Sequence, residues 1–204
     1  MGTDPFVEWV ETPFNLAKGN PMATIAVHEF ISLDGVFESP TWTFDYGFDP
    51  KMGETLGAIT DQANTILLGR TTYEMFAPAW RDRTAEEDPG SPFFNETEKL
   101  VVGTQDLVEE WNNSTRIGTY DADAIRKVKD ERDGVIYISG SGQLVRALLK
   151  DGLVDDLHLF VYPIALGEGE RFWKDGVDPT KLALKATDVY DNGVVHLDYG
   201  PAAS

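Results

Sequence analysis

The chain has no cysteine among its 204 residues, so it can form no disulfide framework, no thiolate zinc site and no cysteine nucleophile. The redox compartment is thereby left open. Positive charge is also scarce: 17 lysines and arginines stand against 35 acidic residues, a formal net charge of −18. A surface of that sign repels nucleic-acid phosphates and anionic membranes, and no basic patch interrupts it, so neither partner is expected. The same acidity equally serves solubility or a salt-rich habitat. An anionic ligand would have to be held by backbone amides and a few placed cations. Long apolar runs are missing too. The longest, from Leu159 to Leu166, is too short to cross a bilayer and contains Pro163. The N-terminus lacks the basic start and apolar centre of a secretory signal, which makes a soluble cytoplasmic protein the default expectation.

What is present is the composition of a folded protein, 42% hydrophobic and 11% aromatic, at a length that fits one domain. Residues 1–21 fit poorly with the rest, because Pro5, Pro13, Gly19 and Pro21 break any periodicity. They read as a leader, added or encoded upstream, or as an arm packing Phe6, Trp9, Val10 and Phe14 elsewhere. The domain itself is expected over 22–204.

Strand patterns alternate with helical ones. Ala23–Ile31 reads as a strand buried on both faces, followed by a turn at Ser32-Leu33-Asp34-Gly35. The loop from Val36 to Pro50 carries Phe37, Trp42, Phe44, Tyr46 and Phe48, flat rings that could stack on a planar heterocycle or fold over the core edge. Met52, Leu56, Ile59 and Ala63 predict a helix over 51–63. Thr65–Leu68 is a strand that runs into Gly69-Arg70-Thr71-Thr72-Tyr73-Glu74, where Thr71 and Glu74 have the spacing of a capping box. Ser91-Pro92 starts a short helix, and Lys99–Val102 and Thr115–Gly118 are further strands, the first closed by Gly103-Thr104. Asp121 caps a helix running to about Arg132. Leu157–Tyr162 is another strand, followed by a glycine-rich turn over 163–172. Asp191-Asn192-Gly193 joins Leu182–Tyr190 to Val194–Tyr199 as a hairpin. The expected fold is α/β: three layers, a mostly parallel central sheet with helices on both faces, and a C-terminal antiparallel hairpin.

One stretch carries the most chemistry. The strand Gly134–Ser139 empties into Gly140-Ser141-Gly142-Gln143 and then into a helix with the apolar stripe Leu144, Val145, Leu148 and Leu149. A helix N-terminus presents unpaired N–H groups and partial positive charge, and glycine lets a phosphate approach the backbone. Gly69-Arg70-Thr71-Thr72 is a second junction of that kind, with a cation beside two hydroxyls. A tight β-to-α turn with no ligand has the same appearance, and Thr71 can be read as pure capping. His28, His158 and His196 each sit in a strand pattern, far apart in sequence. Core or surface positions are expected for them, and no metal site.

Four motifs in this order, Ser32-Leu33-Asp34-Gly35, Leu68-Gly69-Arg70-Thr71-Thr72-Tyr73, Ser139-Gly140-Ser141-Gly142 and Pro163-x-x-Leu166-Gly167-x-Gly169, resemble the dihydrofolate reductase-like fold. The chain is most similar to the C-terminal reductase domain of bacterial riboflavin biosynthesis, from Ala23 to about Tyr199. The resemblance implies NADPH as hydride donor and a small pyrimidine- or pteridine-like substrate. Gly69, Arg70, Thr71 and Thr72, with Gly103 and Thr104, would lie along the adenosine and pyrophosphate. Gly140, Ser141, Gly142, Gln143 and Leu144 would hold the pyrophosphate and nicotinamide end. Asp34 matches an acidic residue on the substrate side, and Glu54 the carboxylate that folate reductases take from the following helix; both are candidates for catalysis. Ser32, Trp42, Phe44 and Tyr46 are candidates for substrate contact. Dihydrofolate reduction, or NADP(H) binding without turnover, are the alternative activities. The zinc deaminase domain often fused to such a reductase has no counterpart in this sequence, so a stand-alone member is expected, paired as a homodimer. No cluster of cations marks a grip on a ribose phosphate, for which Lys51, Arg81, Arg83 and Arg171 are the candidates.

Overall fold

Strand β1, Thr24–Ser32, has no polar face and is buried along nearly its whole length, so it can sit only where the sheet is covered on both sides. The computed structural model describes residues 22–202, and the expected leader lies outside them. After β1 come a 3-10 turn (Thr41–Tyr46), α1 (Pro50–Thr60), β2 (Ala63–Gly69), α2 (Arg70–Trp80), α3 (Ser91–Glu96) and β3 (Glu98–Val102). There follow β4 (Ser114–Gly118), α4 (Ala122–Asp130), β5 (Val135–Ser139), α5 (Gly142–Lys150), β6 (Asp156–Tyr162), β7 (Leu182–Val189) and β8 (Val195–Pro201). The sheet order is β4-β3-β2-β5-β1-β6-β8-β7. The first six strands are parallel, and β8 and β7 close one edge antiparallel, as expected from the hairpin signal.

Alternation along β1 sorts the two faces. Ile25, Val27 and Ile31 join Ile125 of α4 and Leu144, Val145 and Leu148 of α5 in one core. Ala26 packs with Ile59, Tyr73, Ala77 and Phe94 of α1, α2 and α3, while Phe30 packs against Met52 of α1. These are the three layers that the sequence predicts.

Two local expectations change. The predicted helix over 51–63 begins at Pro50 and ends at Thr60, and Ala63 opens β2 instead of closing the helix face. Its start is fixed by Asp49, whose side chain accepts the N–H of Lys51 at 2.8 Å and that of Asp191 at 2.9 Å, tying α1 to the hairpin turn. The capping box at Thr71 and Glu74 does not form. Helix α2 begins two residues earlier, at Arg70 with Gly69 as its N-cap, and Glu74 instead accepts the backbone N–H groups of Val108 and Glu109 at 2.9 and 3.1 Å. A loop with unpaired amides outcompetes the helix end for that carboxylate.

The three histidines meet in the core on β1, β6 and β8. His28 Nδ1 lies 2.8 Å from the Tyr137 hydroxyl, and His158 Nδ1 lies 3.1 Å from His196 Nε2. His28 is set edge-on to Phe160, and His196 stacks on it. Among the described residues no group of His, Cys, Asp or Glu is arranged to hold a metal. Burial pushes all three imidazoles below the ordinary value of 6.5, His28 down to about 3. Each group is therefore neutral when folded and takes up its proton more readily when unfolded. Their contribution to stability is complete above pH 6.5 and is lost as pH falls toward the folded values. The thermal midpoint is expected to drop between pH 6.5 and about pH 4, and to drop less in His28→Gln, which cannot charge; equal acid slopes in the two proteins would contradict this.

Candidate functional site

The C-terminal ends of β3, β2 and β5 lie side by side in the sheet, and two of them feed helices directly. From β2 the chain enters α2 on one face; from β5 it enters α5 on the other. Where neighbouring connections leave in opposite directions, a parallel sheet opens a crevice at its carboxyl edge. Both glycine turns singled out in the sequence border this crevice.

A single hydroxyl joins them. The N–H of Gly69 donates to Ser141 Oγ at 2.7 Å, and Ser141 Oγ donates to Thr72 Oγ1 at 2.9 Å. Ser141 adopts a left-handed backbone, φ 68°, which turns the chain into α5 and leaves its side chain to cap the neighbouring junction. A Cβ on Gly142 would overlap the Phe37 ring, so the start of α5 is the site of a close packing contact with the loop after β1. Gly103 has an analogous constraint: a Cβ there would stand 2.9 Å from the Cβ of Arg70.

The crevice deepens into a cleft of about 1120 Å³. All the expected cofactor positions line it, Gly69 to Thr72, Gly103, Thr104 and Gly140 to Leu144. At one end Arg70 hydrogen-bonds Gln105, and its buried Nε has no hydrogen bond, standing 3.4 Å from the Glu74 carboxylate. At the other end lie Glu29, Phe30 and Phe37, with the 38–40 segment as one wall. Two cations that the sequence does not single out also line it, Arg146 and Lys174. Both pair with Glu170, at 2.8 and 3.1 Å. The four cations considered for a phosphate grip, Lys51, Arg81, Arg83 and Arg171, are not part of the lining.

The expected substrate-side residues divide. Asp34 Oδ1 accepts the Ser32 hydroxyl at 2.6 Å and the Leu166 N–H at 3.1 Å, and Oδ2 accepts the Gly167 N–H at 2.8 Å. These bonds, the Ser32 hydroxyl foremost, hold its carboxyl well below the usual carboxylate range. It is an ionised clamp joining the turn after β1 to the glycine-rich loop, and neither it nor Ser32, which is fully buried, lines the cleft. Glu54 is exposed on α1 and equally outside the lining. Trp42 and Tyr46 pack edge-on against Tyr162 as part of the core beneath α1, and Phe44 is 81% exposed. The aromatic rings in the cleft lining are instead Phe30, from β1, Phe37, Phe76 of α2 and Tyr120.

Glu29 is the residue least visible in the sequence. It sits mid-strand in β1 among apolar neighbours, 3% exposed, on the cleft floor beside Gly140. Its Oε1 has no hydrogen-bond partner among the described residues. Burial pushes its carboxyl up to about 8, against smaller opposing effects of the Gly140 amide and Arg146. The signal was a charged residue inside a strand with no polar face.

A mostly parallel sheet in this strand order, with two helix N-termini meeting at a switch point above a cleft, is the dihydrofolate reductase-like fold. The chain belongs to the RibD C-terminal domain family, whose model matches residues 23–196. It is similar to the uncharacterized protein YyaP of Bacillus subtilis, 26% identical over 173 residues, which covers 83% of this chain and 90% of that protein. Among solved structures it is similar to the deaminase/5-amino-6-(5-phosphoribosylamino)uracil reductase of Thermotoga maritima, with 15% identity and a TM-score of 0.63 over 89% of this chain and 57% of that one. Dihydrofolate reductase of Enterococcus faecalis, solved with NADP(H), aligns with 16% identity and a TM-score of 0.58 over 88% of this chain and 97% of that one. Among the described residues no helix is long and apolar enough to cross a membrane.

Ser141→Ala frees the Gly69 amide and the Thr72 hydroxyl together, and is expected to lower stability by about 1–2 kcal/mol, a drop of roughly 2–4 °C in Tm per kcal/mol for a domain this size. Gly142→Ala should cost about 1–3 kcal/mol through the clash with Phe37, and truncating Phe37 to Ala should suppress that added cost. Calorimetric scans of the single and double variants check both.

Proposed function

We propose that the cleft binds NADPH and that the protein is an NADPH-dependent reductase of a small pyrimidine- or pteridine-like heterocycle, in the manner of a 5-amino-6-(5-phosphoribosylamino)uracil reductase. The observation that carries this reading is the pair of helix N-termini, α2 and α5, opening onto one cleft with Arg70 at its end. Amides unpaired at a helix start favour phosphate oxygens, and a guanidinium suits a 2′-phosphate. Arg70 is held at that end by Glu74, 3.4 Å from its Nε, and by close packing on Gly103. In this reading Gly69, Arg70, Thr71, Thr72, Gly103 and Thr104 take the adenosine and pyrophosphate side. Gly140, Ser141, Gly142, Gln143 and Leu144 take the pyrophosphate and nicotinamide side.

The bound cofactor supplies a hydride. The chain's residues orient it and exclude water, with Phe30 and Phe37 as apolar walls where a planar ring can lie. Asp34 serves the substrate side by fixing the loop over the cleft mouth, since a carboxylate engaged by three donors is poorly placed to exchange protons. Dihydrofolate reduction is less well served, because the helix carboxylate it calls for, Glu54, is exposed and away from the cleft. Binding without turnover remains the reading favoured by the full engagement of Asp34.

Calorimetry with NADPH tests the cofactor, and absence of binding overturns it. Arg70→Met is expected to weaken NADPH about tenfold with little effect on NADH; equal losses would remove the 2′-phosphate role. NADPH oxidation is then followed with the ribosylaminopyrimidine intermediate and with dihydrofolate. Turnover on the first supports the leading reading, and binding with no turnover on either supports the inactive one.

We also infer a homodimer through the hairpin edge. Strand β7 is the outer strand of the sheet and exposes Leu184 at 55% and Val189 at 72%, an unprotected edge that a second copy would cover. Sedimentation should give a dimer for the wild type and a shift toward monomer for Leu184→Glu; a monomeric wild type contradicts the inference.

A further inference from the structure

Glu29 is a carboxyl in a place that penalises a carboxylate. It projects from β1 to the face covered by α5, between β5 and β6, with Leu159 as its register partner on β6. The titratable and charged groups around it are few. Arg146 approaches from α5 but is spent on Glu170 at 2.8 Å and on the carbonyl of Phe172 at 3.3 Å. Lys174 shares that same Glu170, and Tyr137 is the neighbouring group on β5. No cation is left as a counter-ion, and the Gly140 N–H is the nearest donor. A charged Glu29 would also face the phosphate cradle at Gly140–Gly142 and repel its ligand. A neutral carboxylic acid does neither and offers an O–H.

We propose that the Glu29 side chain contacts the molecule bound in the cleft, donating a hydrogen bond as a neutral acid to an amide- or imide-type carbonyl. The proposal rests on the NADPH reading above. Two parts of the bound set have that chemistry, the carboxamide of a nicotinamide and the ring carbonyl of a pyrimidine. An ionisation behaviour supports it: burial moves the carboxyl to about 8, so the donor is present at neutral pH and lost above that value. Binding of a carbonyl acceptor, and of an anionic nucleotide, therefore weakens as pH rises through about 8.

Three probes are titrated into wild type, Glu29→Gln and Glu29→Leu over a pH range that brackets that value: NADPH, 2′-phospho-ADP-ribose, which lacks the nicotinamide, and uracil added to protein saturated with NADP+. Gln keeps a neutral donor in the same shape, and Leu removes it. The expected result is wild-type NADPH affinity falling above about pH 8, a Gln variant that keeps the low-pH affinity throughout, and a Leu variant about tenfold weaker. If, on the low-pH side of that value where Glu29 is neutral, the truncated nucleotide is indifferent to both substitutions while NADPH is not, the carboxamide is the acceptor. If NADPH is indifferent and uracil shows the pattern, the pyrimidine carbonyl is. Glu29→Leu matching wild type with all three probes overturns the proposal, as does Glu29→Gln binding as weakly as Glu29→Leu. A wild type that binds none of the probes overturns the NADPH reading and this proposal together, whereas binding that ignores Glu29 overturns this proposal alone.

The proton is also read without ligand. With the folded value near 8 and the ordinary one at 4.5, the folded state holds this proton more tightly, so the Glu29 contribution to stability, opposite in sign to that of the histidines, falls as pH rises from about 4.5 to about 8. Free Glu29→Gln should melt above wild type at neutral and alkaline pH and converge with it near pH 4. Identical midpoints across the range would overturn the neutral-acid assignment.

Discussion

The Ser141 hydroxyl holds the site together. It accepts from Gly69 at the start of α2 and donates to Thr72 one turn on, although Ser141 itself belongs to the start of α5. The two helices leave the sheet on opposite faces, so their bodies cannot brace one another across it. Only their first turns meet, and a side chain on one must cap the other if the crevice is to keep its width. The left-handed backbone of Ser141 is the local strain that makes this reach possible. The remaining amides at both helix starts are left facing the cleft.

That arrangement explains which parts of the protein can be read from the chain. Alternation of strands with helices, the short stretches rich in β-branched residues and Asp191-Asn192-Gly193 report on backbone preference within a few residues, and they yield the layers and the antiparallel edge. The glycine turns report on local geometry too, and all the expected cofactor positions line one cleft. What fails is anything decided by partners distant in sequence. Thr71 and Glu74 have capping-box spacing, yet the cap of α2 comes from Ser141 and Glu74 is drawn to the Val108 and Glu109 amides. Asp34 has the look of a free turn carboxylate, but residues 166 and 167 supply two of its donors. Trp42 and Tyr46 sit in an irregular segment, and the nearby Tyr162 of β6 takes them into the core.

Buried titratable groups follow one logic across the sheet, with different solutions. Lys99 is fully buried, keeps its hydrogen bonds through the carbonyls of Phe94 and Thr97, and lies over the Trp111 ring; burial lowers it to about 8. Lys129 is paired with Asp155 at 2.5 Å. The histidines avoid the charge by staying neutral. His28 Nε2 and His196 Nδ1 also lack a hydrogen bond among the described residues, but neither histidine lines the cleft. Glu29 stands apart because its unpartnered oxygen belongs to a residue of the cleft lining.

The same economy governs the charge of the site. With a formal net charge of −18, the protein would repel the proposed dinucleotide at long range, and salt screening only softens that repulsion. Close binding must then come from short-range donors. Two helix starts provide them without adding any ionisable group, and Arg70 adds a guanidinium at the far end, partly offset by Glu74 3.4 Å away. Arg146 and Lys174 add little free positive charge, since Glu170 lies between them. On the proposed reading, holding an anion by oriented amides also suits a neighbouring acid: the Gly140 amide lowers the Glu29 carboxyl less than burial raises it, so an uncharged acid can stand on the floor of an anion site.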